Sequence, residues 1–388
     1  MKIKYSNLSW MEASRKKKEW DQLLINSDFP NPFSSIPFYN AWVDTFIDDQ
    51  EKIRVLFFYD DEFLIGIAPL IIDKQSKTIS ILGDKDLFDY RDIIVNSDYA
   101  NHIYELLLFD FFDCEMYQKY KFIFESIPEN SHLINFLKKL NLDQYEIDVN
   151  EEDVTPAIEL SNSWEDYLML LNKKQRHEVR RKLRKFEAEE FTNQLITNPV
   201  QSDKFFDDFF DLFVKSRQDK EEFLTSDRKN FFEKLLFNFA AVSQLRILSL
   251  YDGEKLISAC IVIDYNETYF LYNNAYSLMY NSFSVGLISK IYAIKESSSV
   301  DKPFTFVQAC LFQWINPKGV VMAVSGLTAF NITNNQGAMI YFLVLPFCVG
   351  IWLILGEQLQ NSLEKNKTVA RATYVVLGIS MIASLLLA

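Results

Sequence analysis

The chain has 388 residues, enough for two or three domains, and a formal net charge of -13. That acidity argues against nucleic-acid binding, which needs positive potential along the phosphate backbone. Four widely spaced cysteines without a CxxC pair, and only His102, His132 and His177 beside them, argue against a disulfide framework and a metal site.

The first residues, "MKIKYSNLSWMEASRKKKEWDQ", hold no apolar run of signal-peptide length, so residues 1–302 are expected in the cytoplasm. A helix is predicted in "PFYNAWVDTFID". A hairpin follows from Ile53, "IRVLFFYDDEFLIGIAPLII", turning at Asp60-Asp61, and then a helix in "DYANHIYELLLFDFFD". The same order recurs as a helix in "DKFFDDFFDLFVKSRQ", a hairpin from Leu245, "LRILSLYDGEKLISACIVID", turning at Asp252-Gly253, and a helix in "VGLISKIYAIKES". Without gaps, Arg54, Leu56, Tyr59, Asp60, Glu62, Leu64, Ile65 and Ile71 match Arg246, Leu248, Tyr251, Asp252, Glu254, Leu256, Ile257 and Ile263. One domain fold used twice is therefore expected, over residues 1–150 and 151–300. Its class is α+β, mainly antiparallel sheet with flanking helices.

Between the hairpins lies a basic run, Lys173 to Lys185. On a helix, Val179, Leu183 and Phe186 share one face, while Lys173, Arg176, His177, Arg180 and Arg184 crowd the other. The run is either a solvated face paired with Glu187, Glu189 and Glu190, or a cradle in which Arg forks grip an anion. His177 is of a residue type that can serve as a general base but has no assignable partner. Further on, "NSFSVGL" precedes an apolar helix. Ser284 can cap it, and Gly286 in the first turn would let a pyrophosphate approach the free N–H groups. Read alone, an ordinary cap is the simpler account.

"FSSIPFYNAW", "FLIGIAPLII", "LNKKQRHEVRRKLRKFE" and "NNAYSLMYNSFSVGL" together resemble the CelD-type acetyltransferases, relatives of the FemAB aminoacyl transferases, over about residues 30–296. The resemblance implies tandem GNAT-like domains, the second binding acetyl-CoA as acyl donor. It implies that Ser284, Val285, Gly286 and Leu287 hold the donor pyrophosphate. It implies that the edge of "SACIVIDYNETYFLYNNAY" pairs with the pantetheine arm, with Tyr272, Asn273 and Tyr276 pointing toward that region. Arg176, His177, Arg180 and Arg181 would bind an anionic group of donor or acceptor. No catalytic residue is implied, because positioning and a backbone donor to the oxyanion can suffice. The sequence departs from the family where Ala275, Ser277 and Val285 replace its usual Gly, Asp and Pro.

Near residue 302 the composition changes. Gly319 to Gly356 contains no Asp, Glu, Lys, Arg or His. An all-α tail of three transmembrane helices is expected over 303–388, at about 307–332, 338–356 and 369–387. Lys365, Lys367 and Arg371 place the second loop in the cytoplasm, and with it the part preceding the first span. "FQWINPKG" and the tail from about Phe306 resemble the C-terminal half of lysine-exporter (LysE/RhtB) amino-acid efflux proteins. The second GNAT-like domain is expected to lack its last strand, as a fusion of two truncated reading frames would leave it. The expected function is a CoA-dependent acyltransferase at the cytoplasmic membrane, bound to lipid through its tail. It would modify an amine or hydroxyl of a small molecule or of an envelope or extracellular polysaccharide precursor. A partial amino-acid exporter and an inactive fusion product are the alternatives.

Overall fold

The two hairpins fold to one register. In the first, β2 (Ile53–Asp60) pairs with β3 (Phe63–Asp73) from Ile53↔Ile71 to Phe58↔Gly66, then slips by one residue to Tyr59↔Leu64. In the second, β8 (Leu245–Asp252) pairs with β9 (Lys255–Tyr265) from Leu245↔Ile263 to Leu250↔Ser258, then slips to Tyr251↔Leu256. The extra residue is Ile65 in one and Ile257 in the other, and each bulge drives its isoleucine into the core at 3% and 0% exposure. Both turns open on a left-handed residue, Asp61 at φ 51° and Gly253 at φ 57°. The sequence repeat is thus a structural repeat down to its irregularity.

The computed structural model describes residues 3–113, 116–117, 119–139, 147–161, 163–199, 203–216 and 219–299, which belong to one compact unit ending at Val300. The first sheet runs β1 (Ile3–Leu8), β2, β3, β4 (Thr78–Ile81), β6 (Lys121–Ile123), with β5 (Ile94–Val95) also on β3. All its pairings are antiparallel except β4 with β6. The second runs β10 (Thr268–Tyr276), β9, β8, β7 (Phe191–Ile196), antiparallel throughout. Around the first pack α1 (Trp10–Arg15), α2 (Lys17–Ile25), α3 (Ile36–Phe46), α4 (Ala100–Leu106) and α5 (His132–Lys139). With the second go α6 (Trp164–Leu170), α7 (Lys173–Glu187), α8 (Asp203–Ser216), α9 (Asp219–Phe223), α10 (Ser226–Ala241) and α11 (Val285–Ser299). The α+β architecture of two antiparallel-rich sheets with flanking helices is as expected.

The halves share one core. Side chains of α1 to α3 and the inner face of β2 are continuous with those of α8, α10, β8 and β9 in a single buried cluster. Phe38 on α3 lies at its middle. Across the boundary, Asn238 Nδ2 donates to Pro37 O at 3.0 Å and Lys234 Nζ to Asp44 O at 2.6 Å. A second cluster fills the outer face of the first sheet under α4 and α5, and a third joins α7 and α11 to β8 and β9.

Among the described residues no helix is long and apolar enough to cross a membrane. The spans expected at 307–332, 338–356 and 369–387, and the last strand expected to be missing after α11, lie outside the described residues.

Candidate functional site

The basic helix α7 starts on a capping box. Gln175 N donates to Asn172 Oδ1 at 2.9 Å, and Asn172 N to Gln175 Oε1 at 3.2 Å. Leu183 and Phe186 are buried against Val285, Ile288 and Ile291, which lays α7 along α11. The basic side chains then divide. Arg176 turns back on its own approach, donating to Leu171 O at 3.0 Å with Nη1 3.2 Å from Met169 Sδ, and its buried Nε has no partner. Arg180 pairs with Glu165 at 2.9 Å on α6, and Arg181 grips Glu178 through two bonds of 2.8 Å. His177 is exposed. So the expected pairing of this face is present but with other carboxylates: among the described residues Glu187, Glu189 and Glu190 form no ion pair with it. Such exposed pairs are worth about 0–1 kcal/mol and yield readily to a stronger anion.

Two lysines that sequence reading passed over reach the start of α11. Lys182 Nζ donates to Ser284 Oγ and Lys185 Nζ to Ser282 O, each at 2.9 Å, and Lys185 lies 4.7 Å from the Phe283 ring centroid. Ser284 precedes the helix but does not cap it as expected. Its backbone is left-handed (φ 56°, ψ 41°), and its hydroxyl accepts Lys182 instead of a helix N–H. Of the first-turn N–H groups, that of Leu287 donates back to Ser284 O at 2.9 Å, which leaves those of Val285 and Gly286 without an intrahelical acceptor among the described residues, and the helix dipole adds positive potential to that of the two lysines. An anion fits this end of α11.

At Gly286 the missing side chain makes room for a neighbour: a Cβ there would meet the Tyr276 ring at 2.7, 2.8 and 3.2 Å, so the glycine admits that aromatic side chain. Val285 is 1% exposed and belongs to the core, which leaves only its backbone for a ligand; Leu287 is exposed. Gly286→Ala should therefore destabilise the fold by about 1–3 kcal/mol in urea denaturation, whereas glycine to alanine in an unobstructed helix gains roughly 1 kcal/mol. A gain would show that the Tyr276 ring swings clear.

The segment "SACIVIDYNETYFLYNNAY" is two strands, the end of β9 and all of β10, joined through Asn266 and Glu267 with φ of 46° and 62°. A bulge between Leu271 and Asn273 reverses the alternation along β10. Tyr276 and Asn274 consequently face α11, where Asn274 Nδ2 donates to Ser289 Oγ at 3.1 Å. The Ser289 and Ser258 hydroxyls lie 3.0 Å apart and are fully buried, pinning α11 to β9. Tyr272 faces the other way, among Phe33, Phe38 and Phe232, and its hydroxyl donates to Leu87 O at 3.2 Å. Burial holds its pKa well above the ordinary tyrosine value. Asn273 accepts from the Asn274 N–H at 3.1 Å. The expectation that Tyr272, Asn273 and Tyr276 converge is thus corrected: the bulge separates Tyr272 from Tyr276.

Opposite β10 runs the loop "GDKDLFDYRD", residues 83–92, from the first half. Asp84 accepts from Trp42 Nε1 at 2.7 Å, and Asp86 pairs with Arg228. Lys220 Nζ on α9 donates to Asn274 O at 3.1 Å. Asp89 stands exposed beside Tyr272, yet the protein around it pushes its carboxyl up to about 6. It accepts no hydrogen bond among the described residues. A carboxylate poised in this way can take a proton near neutral pH. Cys260 is a poor nucleophile, because burial raises its thiol to about 12. Among the described residues no three His, Cys, Asp or Glu side chains are placed to hold a metal.

Residues 173–299 match the family model described as "Acetyltransferase (GNAT) domain". That stretch, from α7 through the second sheet to α11, is thus similar to a GNAT-type acetyltransferase domain. A crystal structure of a conserved protein of unknown function from Bacteroides thetaiotaomicron VPI-5482 is similar over 78% of this chain and 87% of that one, at 14% identity and a TM-score of 0.41. No curated protein matches the chain.

Proposed function

We propose that the chain transfers an acetyl group from acetyl-CoA to an amine or hydroxyl of a saccharide or other small acceptor, in the manner of the CelD-type enzymes its segments resemble. The observation that carries this reading is the meeting of Lys182 and Lys185 with the first turn of α11, inside the stretch matched by the acetyltransferase model. When bound, the cofactor supplies an activated acyl thioester. Its phosphates suit the lysines and the helix start. From Tyr276 to Tyr272, β10 then offers about 13 Å of strand toward the cleft.

Asp89 would receive the proton that the acceptor amine or hydroxyl loses as it bonds to the acyl carbon, while the thiolate departs. Arg180 and Arg181 sit on the same basic helix, in weak exposed pairs that an anionic group of either substrate could displace. The charge-free run from Gly319 to Gly356 supports attachment to a membrane, and Lys365, Lys367 and Arg371 support a cytoplasmic acetyltransferase part.

Calorimetry of acetyl-CoA with the full chain tests the reading. Saturable binding is expected, weakened tenfold or more in a Lys182→Ala, Lys185→Ala double variant, since each charged hydrogen bond is worth about 1.5–3 kcal/mol. Folded protein that gives no binding heat, or a double variant that binds like the parent, would sink it.

A further inference from the structure

A second polar site lies wholly within the first half. The end of α2, the strand β5, α4 and the start of α5 line a partly open pocket of about 50 Å³, room for roughly three or four water-sized groups. Asp92 and Tyr104 line it, as do the paired side chains of Asp28 and His132, which meet at 2.6 Å.

The chemistry of this cavity is unbalanced. The Asp92 carboxylate accepts from Ile93 N at 2.7 Å and from the Ser131 hydroxyl, and burial pushes it up to about 6. No cation among the described residues is within ion-pair distance of it. Arg91, next in the chain, turns away to Glu125 at 3.0 Å and Gly83 O at 3.1 Å. Tyr104 is fully buried, and its hydroxyl, aimed into the same space, has no hydrogen-bond partner. A half-buried carboxylate whose charged neighbour, His132, is already paired with Asp28 is stabilised by a further cation.

We propose that this cavity binds a small primary ammonium group, which donates to the Asp92 carboxylate and the Tyr104 oxygen while its aliphatic stem lies against Leu24 and Ile94. An anion would be repelled by Asp28 and Asp92. A neutral hydroxyl or amide would leave the Asp92 charge uncompensated, and a metal ion lacks a third His, Cys, Asp or Glu ligand here among the described residues. The groups facing Asp92 are Tyr39 on α3, Tyr104 on α4, His132 with its partner Asp28, and Arg91. An ammonium of pKa near 10 keeps its charge throughout, so affinity follows Asp92: it is full at neutral pH and falls as pH drops through about 6.

Thermal unfolding of the full chain in methylammonium chloride, against sodium and potassium chloride of equal ionic strength, tests the proposal. The expected result is a saturable rise in Tm at pH 7.5 with methylammonium alone. That rise should weaken below pH 6 and need at least fivefold more ligand in Asp92→Asn and in Tyr104→Phe, the latter removing only an unpaired oxygen. No rise beyond that in sodium chloride, an equal rise in potassium chloride, or a rise unchanged in Tyr104→Phe would overturn it. Acetyl-CoA binding is read at the other half of the molecule, so neither test decides the other.

Discussion

Phe38→Ala should lower the unfolding free energy by about 3–5 kcal/mol in urea denaturation of the full chain. The ring is fully buried, with centroids of Phe88 at 4.6 Å, Phe33 at 5.0 Å, Tyr272 at 5.7 Å, Phe231 at 5.8 Å and Phe239 at 6.2 Å. Three of those five belong to the second half. Removing the ring opens a void walled by aromatic side chains from both halves, which cannot collapse without moving both. The two sheets should accordingly lose structure in a single transition, shifted to lower urea in the variant. A loss below about 1 kcal/mol, or a variant that unfolds in two steps, would show that the halves are held together elsewhere.

The sequence carried the hairpins well because their signal is local. Alternating apolar strands and a two-residue turn fix each hairpin, and the ungapped match of Ile65 to Ile257 extends to the shared bulge. The edge strands β1 and β7 escaped notice because their faces are mostly wet: "IKYSNL" and "FTNQLI" show little apolar alternation, and they are strands only because β2 and β8 offer free edges.

At the site, the helical face of α7 was legible, but which of its cations matter was not. Arg176 and Arg180 are occupied toward α6, whereas Lys182 and Lys185 meet a segment about a hundred residues away, a contact that spacing along α7 cannot foretell. Tyr272 and Tyr276 were placed together by simple alternation, and one bulged residue undid it. Gly286 drew attention for the right reason, an absent side chain, but the neighbour it admits is Tyr276. Asp89 sits among four aspartates in ten residues. Composition marks the loop as acidic, and only its place opposite β10 singles out one carboxylate.

Asp89→Asn should reduce acetyl transfer by about 10²- to 10⁴-fold, the usual contribution of a positioned general base, while leaving acetyl-CoA binding intact. The sign of the pH dependence follows from the raised carboxyl. Desolvation favours the protonated form, so the base form is gained as pH climbs from the ordinary carboxyl range through about 6. The parent's kcat/KM should therefore rise across that window and level off above it. Exposure of Asp89 to water keeps the midpoint at or below about 6. For folding the sign is opposite: a carboxyl with a raised native pKa contributes stability at low pH that is lost as pH rises through the same window, so Asp89→Asn should gain stability near neutrality while losing activity. An unfolding defect cannot produce that combination. A loss under tenfold, or an acid limb that survives in Asp89→Asn, would remove Asp89 from the proton path and leave transfer to rest on positioning along β10.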